Sequence, residues 1–277
     1  MNAKRKKPNG NKKSVTLRKK YEDLKKIHFL SDLPRKEKES ICLYRYMPLK
    51  YLRTLLSKDR PQIVFMSPQK WEDPYEKRFL YGKYGIENFQ DKIACICFTT
   101  NASENEAAAW CMYDRERKND IVQVSFDFDN LLIVLNGYGD RNGVDFYIGM
   151  VDYNIEVDEL KGKKDSKVKK IVKECSAERA ALKLMLLKRK AFKFEGEVRI
   201  IAMASKPLSD EKMIIPLEKG HSLIKQIKAQ PFLPNTIVTK ELLKKEFSSV
   251  KIVRSQLYDS VPKFNYKQVK NSSIRRR

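Results

Sequence analysis

Histidine is nearly absent, with two in 277 residues, and the five cysteines lack metal or redox spacing. Cys95-Ile96-Cys97 is too tightly spaced for a redox pair or a zinc knuckle, and only His28 and His221 could add imidazole ligands. A structural zinc site is therefore not expected. Cys42, Cys95, Cys97, Cys111 and Cys175 fall mostly in apolar runs and read as reduced, buried thiols of a cytoplasmic protein. No apolar run approaches the roughly 18–20 residues that span a bilayer, so no membrane partner is expected. Residues 1–13 carry charges with no apolar segment behind them, which does not read as a secretory signal. Glycine-rich phosphate loops, a dinucleotide fingerprint and internal repeats are missing too, which argues against P-loop and Rossmann chemistry.

Acids are missing from both ends. Residues 1–20 hold nine Lys/Arg and no Asp/Glu, residues 263–277 hold six and none, and residues 161–190 hold twelve against three. These segments account for the whole net charge of +23, leaving a nearly neutral body. Basic ends on a neutral body point to an electrostatic hold on a polyanion, most often nucleic acid.

Leu17, Tyr21, Leu24 and Ile27 recur at helical spacing, predicting a helix from Ser14 or Thr16 to about Phe29. Strands are expected at 41–46, 62–66, 92–100, 121–126, 146–155, 197–204, 222–232 and 250–257. Helices are expected at 48–56, 104–113, 240–247 and, as a long basic helix or helix pair, 159–190. Short strands mixed with non-alternating helices indicate an α+β fold on a mixed or antiparallel sheet. The organisation read from this is a basic tail with an amphipathic helix over 1–40, one α+β domain of catalytic type over 41–262, and a basic tail over 263–277.

Three islands stand where strands begin or end: Tyr44-Arg45-Tyr46, Ser67 through Glu76, and Glu195-Gly196-Glu197-Val198-Arg199. Residues i and i+2 of a strand share a face, so Glu195 and Glu197 point the same way. Two like charges side by side are costly unless solvated, paired or used. In this order the islands resemble the bacterial family called domain of unknown function 2971. Its pattern is Tyr-Arg-Tyr, then Ser-Pro-x-x-Phe/Trp-Asn-Asp-Pro-x-Glu, a Cys-Phe-Ser-like strand, a Trp-x-x-Tyr helix and Glu-x-Glu-x-Arg. The matches are Tyr44-Arg45-Tyr46, Ser67-Pro68-Gln69-Lys70-Trp71-Glu72-Asp73-Pro74-Tyr75-Glu76, Cys97-Phe98-Thr99, Trp110-Cys111-Met112-Tyr113 and Glu195 to Arg199, with Glu72 departing from the usual Asn. The resemblance spans about residues 41–260.

More loosely, the layout is similar to the ADP-ribosyltransferase superfamily, with an early Arg, a second strand followed by Ser, and a late Glu-x-Glu. That resemblance implies an ADP-ribosyltransferase-like sheet and NAD as substrate, with Glu197 stabilising the ribosyl cation and Glu195 accepting the acceptor's proton. Arg45 would pair with the pyrophosphate or fix the ribose, Tyr75 or Trp71 would stack on nicotinamide, and Tyr44, Ser67 and Asp73 would complete the binding set. Joined to the charge pattern, this predicts a mono-ADP-ribosyltransferase acting on nucleic acid, RNA before DNA, in the manner of a toxin or antiphage effector restrained by an inhibitory protein. Two alternatives stand beside it. Asp73, Glu76, Glu195 and Glu197 could gather Mg²⁺ for a nuclease, or the protein could be a non-catalytic nucleic-acid-binding adaptor.

Overall fold

The computed structural model describes residues 17–33, 41–71, 73–81, 89, 91–100, 106–114, 120–155, 167–218, 220–233 and 250–258. The outer parts of both basic tails, the lysine-rich stretch 156–166, Glu72 and the helix expected at 240–247 lie outside them.

A mixed sheet of ten strands, mostly antiparallel, organises the α+β architecture. Its central strands are β2 (Cys42–Pro48), β4 (Ile93–Thr99), β5 (Ile121–Asp127), β6 (Val144–Met150) and β9 (Glu197–Ala204). The edges are β1 (Ile27–Phe29), parallel to β6, and β12 (Lys251–Arg254), parallel to β11 (Ile224–Ala229). Both edges are short and carry basic or histidine side chains, which discourages pairing with another chain. The spatial order is β1-β6-β9-β4-β2-β5-β11-β12, and β3 (Gln62–Met66) branches from β4 to pair with β10 (Lys212–Pro216). A separate parallel pair joins β7 (Asp152–Ile155) to β8 (Leu187–Arg189).

The helices are α1 (Leu17–Lys20), α2 (Leu49–Leu55), α3 (Pro74–Tyr81), α4 (Glu106–Tyr113), α5 (Phe128–Asn142), α6 (Lys167–Glu174) and α7 (Ala177–Leu184). Both sheet faces are covered. Val198, Ile200 and Ala202 face the larger core, with Leu131, Leu132 and Leu135 of α5. Ile201, Cys95 and Ile93 face a second core with Ala181, Leu182 and Leu184 of α7. A strand buried on both faces reads as a continuous apolar run, and β9 does so except at Glu197 and Arg199. Those two residues therefore enter a buried row where their charges need partners.

Several elements differ from the sequence reading. Residues Ile27–Phe29 leave the expected N-terminal helix and pair with β6, and Leu17, Ile27, Phe29 and Leu33 join the larger core. The expected strand at 146–155 is two, β6 and β7, separated at Val151. The basic helical segment ends at Leu184, and Leu187–Arg189 is strand β8. Pro74 starts helix α3, which the sequence reading did not assign, as its missing N–H allows. Helix α5, unassigned in the sequence, is capped by the Asp127 carboxylate accepting from Asn130 N at 3.0 Å and closed by Gly143 at φ 64°. All five cysteines are free thiols, but of these only Cys95 is buried as expected; Cys42, Cys97 and Cys175 are half-buried and Cys111 is exposed. No helix among the described residues is long and apolar enough to cross a membrane.

Candidate active site

The carboxylates at the start of β9 do lie side by side. Gly196, at φ 50°, closes the 3-10 turn ending at Glu195 and swings that residue beside Glu197. Thr99 Oγ1 holds the turn by donating to the Glu195 carbonyl at 2.5 Å. Both carboxylates meet Lys188 Nζ of β8, Glu195 at 2.5 Å and Glu197 at 3.0 Å. Glu76 of α3 is the third acid, 3.4 Å from the same ammonium.

Behind them Arg199 makes a fork. Its Nε donates to Glu197 Oε1 at 2.9 Å and its Nη2 to Glu197 Oε2 at 3.1 Å and to Glu76 at 2.6 Å, while Nη1 reaches the Met185 carbonyl at 2.5 Å. Trp71 covers the guanidinium, its ring centroid 4.3 Å from Cζ. The five charged side chains are only 1–12% exposed. Three carboxylates facing two cations form a neutral set only when one carboxylate holds a proton.

That proton belongs to Glu195. Burial pushes its carboxyl up to about 7; Lys188 opposes this, and the neighbouring Glu197 charge reinforces it. Burial acts the same way on Glu197, yet the Arg199 and Lys188 charges overcome it and hold Glu197 at about 2. Lys188 is pulled well above its ordinary value: burial opposes its charge, and the three carboxylates outweigh that. Adjacent carboxyls are thus driven in opposite directions, Glu195 towards its protonated form and Glu197 towards its ionised form. The outer one, Glu195, lines a cleft of about 20 Å³ with Tyr46, Thr99, Ala109, Met112, Tyr113 and Phe194. Tyr46 and Tyr113 stack there at 5.3 Å.

The shifts have opposite consequences for stability. Glu195, raised above its ordinary 4.5, contributes stability that is present in acid and lost as pH rises from about 4.5 through 7. Glu197, depressed to about 2, contributes stability that is present above 4.5 and lost as pH falls towards 2. Urea unfolding should therefore show a maximum near pH 5, then a decline on the order of 2 kcal/mol by pH 8. That decline should vanish in Glu195→Gln. An unchanged decline in the variant would show that Glu195 is not its source.

The remaining expected site residues divide. Asp73 pairs with Arg189 at 3.0 Å and accepts from Tyr75 N at 2.9 Å, and Arg189 lies 4.4 Å over the Tyr75 ring. Trp71, Asp73 and Tyr75 are thus gathered beside the cluster, with one face of Trp71 taken by Arg199 and one of Tyr75 by Arg189. Ser67 is buried and caps the following 3-10 turn, its hydroxyl accepting from Gln69 N at 3.3 Å. Tyr44 pairs with Thr99, and Thr99 with Glu197, so these three stand in one cross-strand row on one face. Arg45, the next residue, starts from the opposite face, alongside the core residues Leu43 and Met47. Arg45 lines a different cavity from Glu195, although Tyr113, which lines the Glu195 cleft, is among the ionisable side chains acting on its guanidinium.

Lys188, Arg189 and Phe194 were not singled out by the sequence, and Tyr113 entered only as part of the Trp-x-x-Tyr motif, without a site role. Lys188 lay inside a segment read as helical, where only its place just past the apolar stripe could have drawn notice. Lys188 and Arg199 also fill the space between Glu76, Glu195 and Glu197 that Mg²⁺ would need. Among the described residues, no group of three or more His, Cys, Asp or Glu side chains is arranged for a metal ion. The nuclease arrangement expected as an alternative is thus not formed. Comparison of the chain with protein-family models, with curated proteins and with solved structures finds no match.

Proposed function

We propose that the protein is an NAD-consuming ADP-ribosyltransferase with nucleic acid, RNA foremost, as its acceptor. The observation supporting this reading is the buried pair Glu195 and Glu197 held on Lys188, with Glu197 also fixed by Arg199, an environment that shifts the two carboxyls in opposite directions. Breaking a glycosidic bond passes through an oxocarbenium-like sugar and draws on two carboxyls with separate roles, and neighbouring groups driven to different pKa values mark such assignments. In this reaction the bond between nicotinamide N1 and ribose C1′ breaks, and its electron pair leaves with nicotinamide. The acceptor nucleophile bonds to C1′ and passes its proton to Glu195, whose carboxyl titrates to about 7. Glu197, ionised and fixed by Arg199 and Lys188, supplies standing negative charge behind the forming cation and adds to the burial that raises Glu195. The resemblance assigned Glu197 to the sugar directly; that Glu195 rather than Glu197 lines the cleft supports Glu195 as the group that meets substrate. Admitting nicotinamide requires Tyr113 and Phe194, 40% and 39% exposed, to swing outward as stacking walls.

The basic ends support the acceptor assignment. An activity of this kind damages the cell that makes it, so a toxin or antiphage effector held by an inhibitory protein is its natural setting. Incubating the full chain with adenylate-labelled NAD and RNA should move label to RNA. No transfer to RNA, DNA or protein, with no nicotinamide released, would overturn the proposal. Removing residues 1–16, which carry six Lys/Arg, should flatten the salt dependence of RNA binding by roughly 0.7 for each phosphate no longer neutralised. An unchanged slope would detach the N-terminal charge from nucleic acid.

A further inference from the structure

The sheet splits at one place. Strand β4 pairs with β2 through Tyr44 and Thr99 and with β3 through Met66 and Cys95, so β2 and β3 diverge from it without pairing to each other. Helix α2 joins the two diverging strands, and the wedge between them encloses about 350 Å³. Its walls include Met47, Leu55, Val64 and Phe126, with Tyr51 at the rim and Arg45 inside.

Arg45 is the anomaly in this apolar wedge. No Asp or Glu among the described residues lies within ion-pair distance of it, whereas Arg199 and Arg189 each have a carboxylate partner. The ionisable side chains acting on it most strongly are Cys97, Tyr113, Cys95 and Tyr51, none of them an Asp or Glu. Burial lowers its pKa, but a guanidinium does not give up its proton in a protein, so the charge stays. A second cation, Lys50, stands 5.1 Å from the Tyr51 ring at the rim. A half-buried guanidinium without a counter-charge, facing an apolar hollow of ligand size, is the donor set of an anion site.

We propose that the wedge between β2 and β3 binds a small amphipathic monoanion, its carboxylate or phosphate paired with Arg45 and its apolar body against Met47, Leu55 and Phe126. The wedge shares no lining residue with the Glu195 cleft and needs neither ribose nor pyrophosphate, so its test does not depend on the reaction at Glu195.

Octanoate titrated into the full chain by calorimetry is the test, with acetate as the anion lacking a body and octan-1-ol as the body lacking a charge. Octanoate should bind one site with a Kd below about 1 mM, and acetate and octan-1-ol should each bind at least about tenfold more weakly. Arg45→Met, which keeps apolar volume, should weaken octanoate by about tenfold or more, and Arg45→Lys by much less. Thr54→Trp, which plugs the wedge from its lining without altering Arg45, should also abolish binding, and it serves if Arg45→Met does not fold. Failure of octanoate to saturate one site, equal binding by octan-1-ol, or full binding by Arg45→Met or by Thr54→Trp would overturn the assignment.

Discussion

Glu195→Gln is expected to lower ADP-ribosyl transfer by about 10²–10⁴-fold, the usual worth of a positioned general base. The wild-type rate should rise with pH through an inflection near the Glu195 value of about 7 and level off above it, because the base acts when deprotonated. Glutamine can still accept from Lys188, so the cluster geometry survives while the titration is lost, and the residual rate should be flat with pH. Glu197→Gln should behave differently. It removes the negative charge that helps keep a proton on Glu195, so the rate inflection should move towards the ordinary glutamate range of about 4.3. A Glu195→Gln variant that keeps the wild-type rate and inflection would remove Glu195 from the reaction, whatever the fate of the fold.

Arg199→Met should be the most destabilising single substitution in the second core, costing about 3–5 kcal/mol in urea unfolding at pH 7. Methionine restores the apolar volume but leaves Glu197 and Glu76 without their shared fork donor, at 1% exposure of the guanidinium they now surround. It also uncaps the Met185 carbonyl and removes the cation beneath Trp71. Arg199→Lys should recover only part of this, since an ammonium cannot serve Glu197 in two places and Glu76 and Met185 as well. A loss below about 1 kcal/mol for Arg199→Met would mean that water or protonation already relieves the buried charge.

The apolar run after Glu197 made β9 legible as a doubly covered strand, but the Glu195–Glu197 pairing expected from strand period arises otherwise: Glu195 ends a 3-10 turn and left-handed Gly196 brings it beside Glu197. The same period separates Tyr44 from Arg45: as neighbours in a strand, they cannot both face Glu197. Lys188 stayed hidden because Ala180, Leu184 and Leu187 continue a helical stripe with no glycine or proline between. The chain nevertheless turns at Met185-Leu186 and pairs with β7. Helix α5 was obscured by Gly137 and Gly139. The second is required by packing, since a Cβ there would stand 2.4 Å from the Val144 carbonyl. Ile27-His28-Phe29 kept helical spacing on paper, and pairing with β6 overrode it. Local pattern thus found most strands, whereas partners supplied by distant segments decided the site.

Carboxyl carbon-13 NMR of the glutamate-labelled chain tests the protonation split most directly. One resonance, absent from Glu195→Gln, should titrate near pH 7, and another, absent from Glu197→Gln, should stay ionised down to about pH 3. Should every glutamate carboxyl titrate below about pH 5.5, the two residues would hold the same state at neutral pH, and the division of roles assigned to them would be wrong.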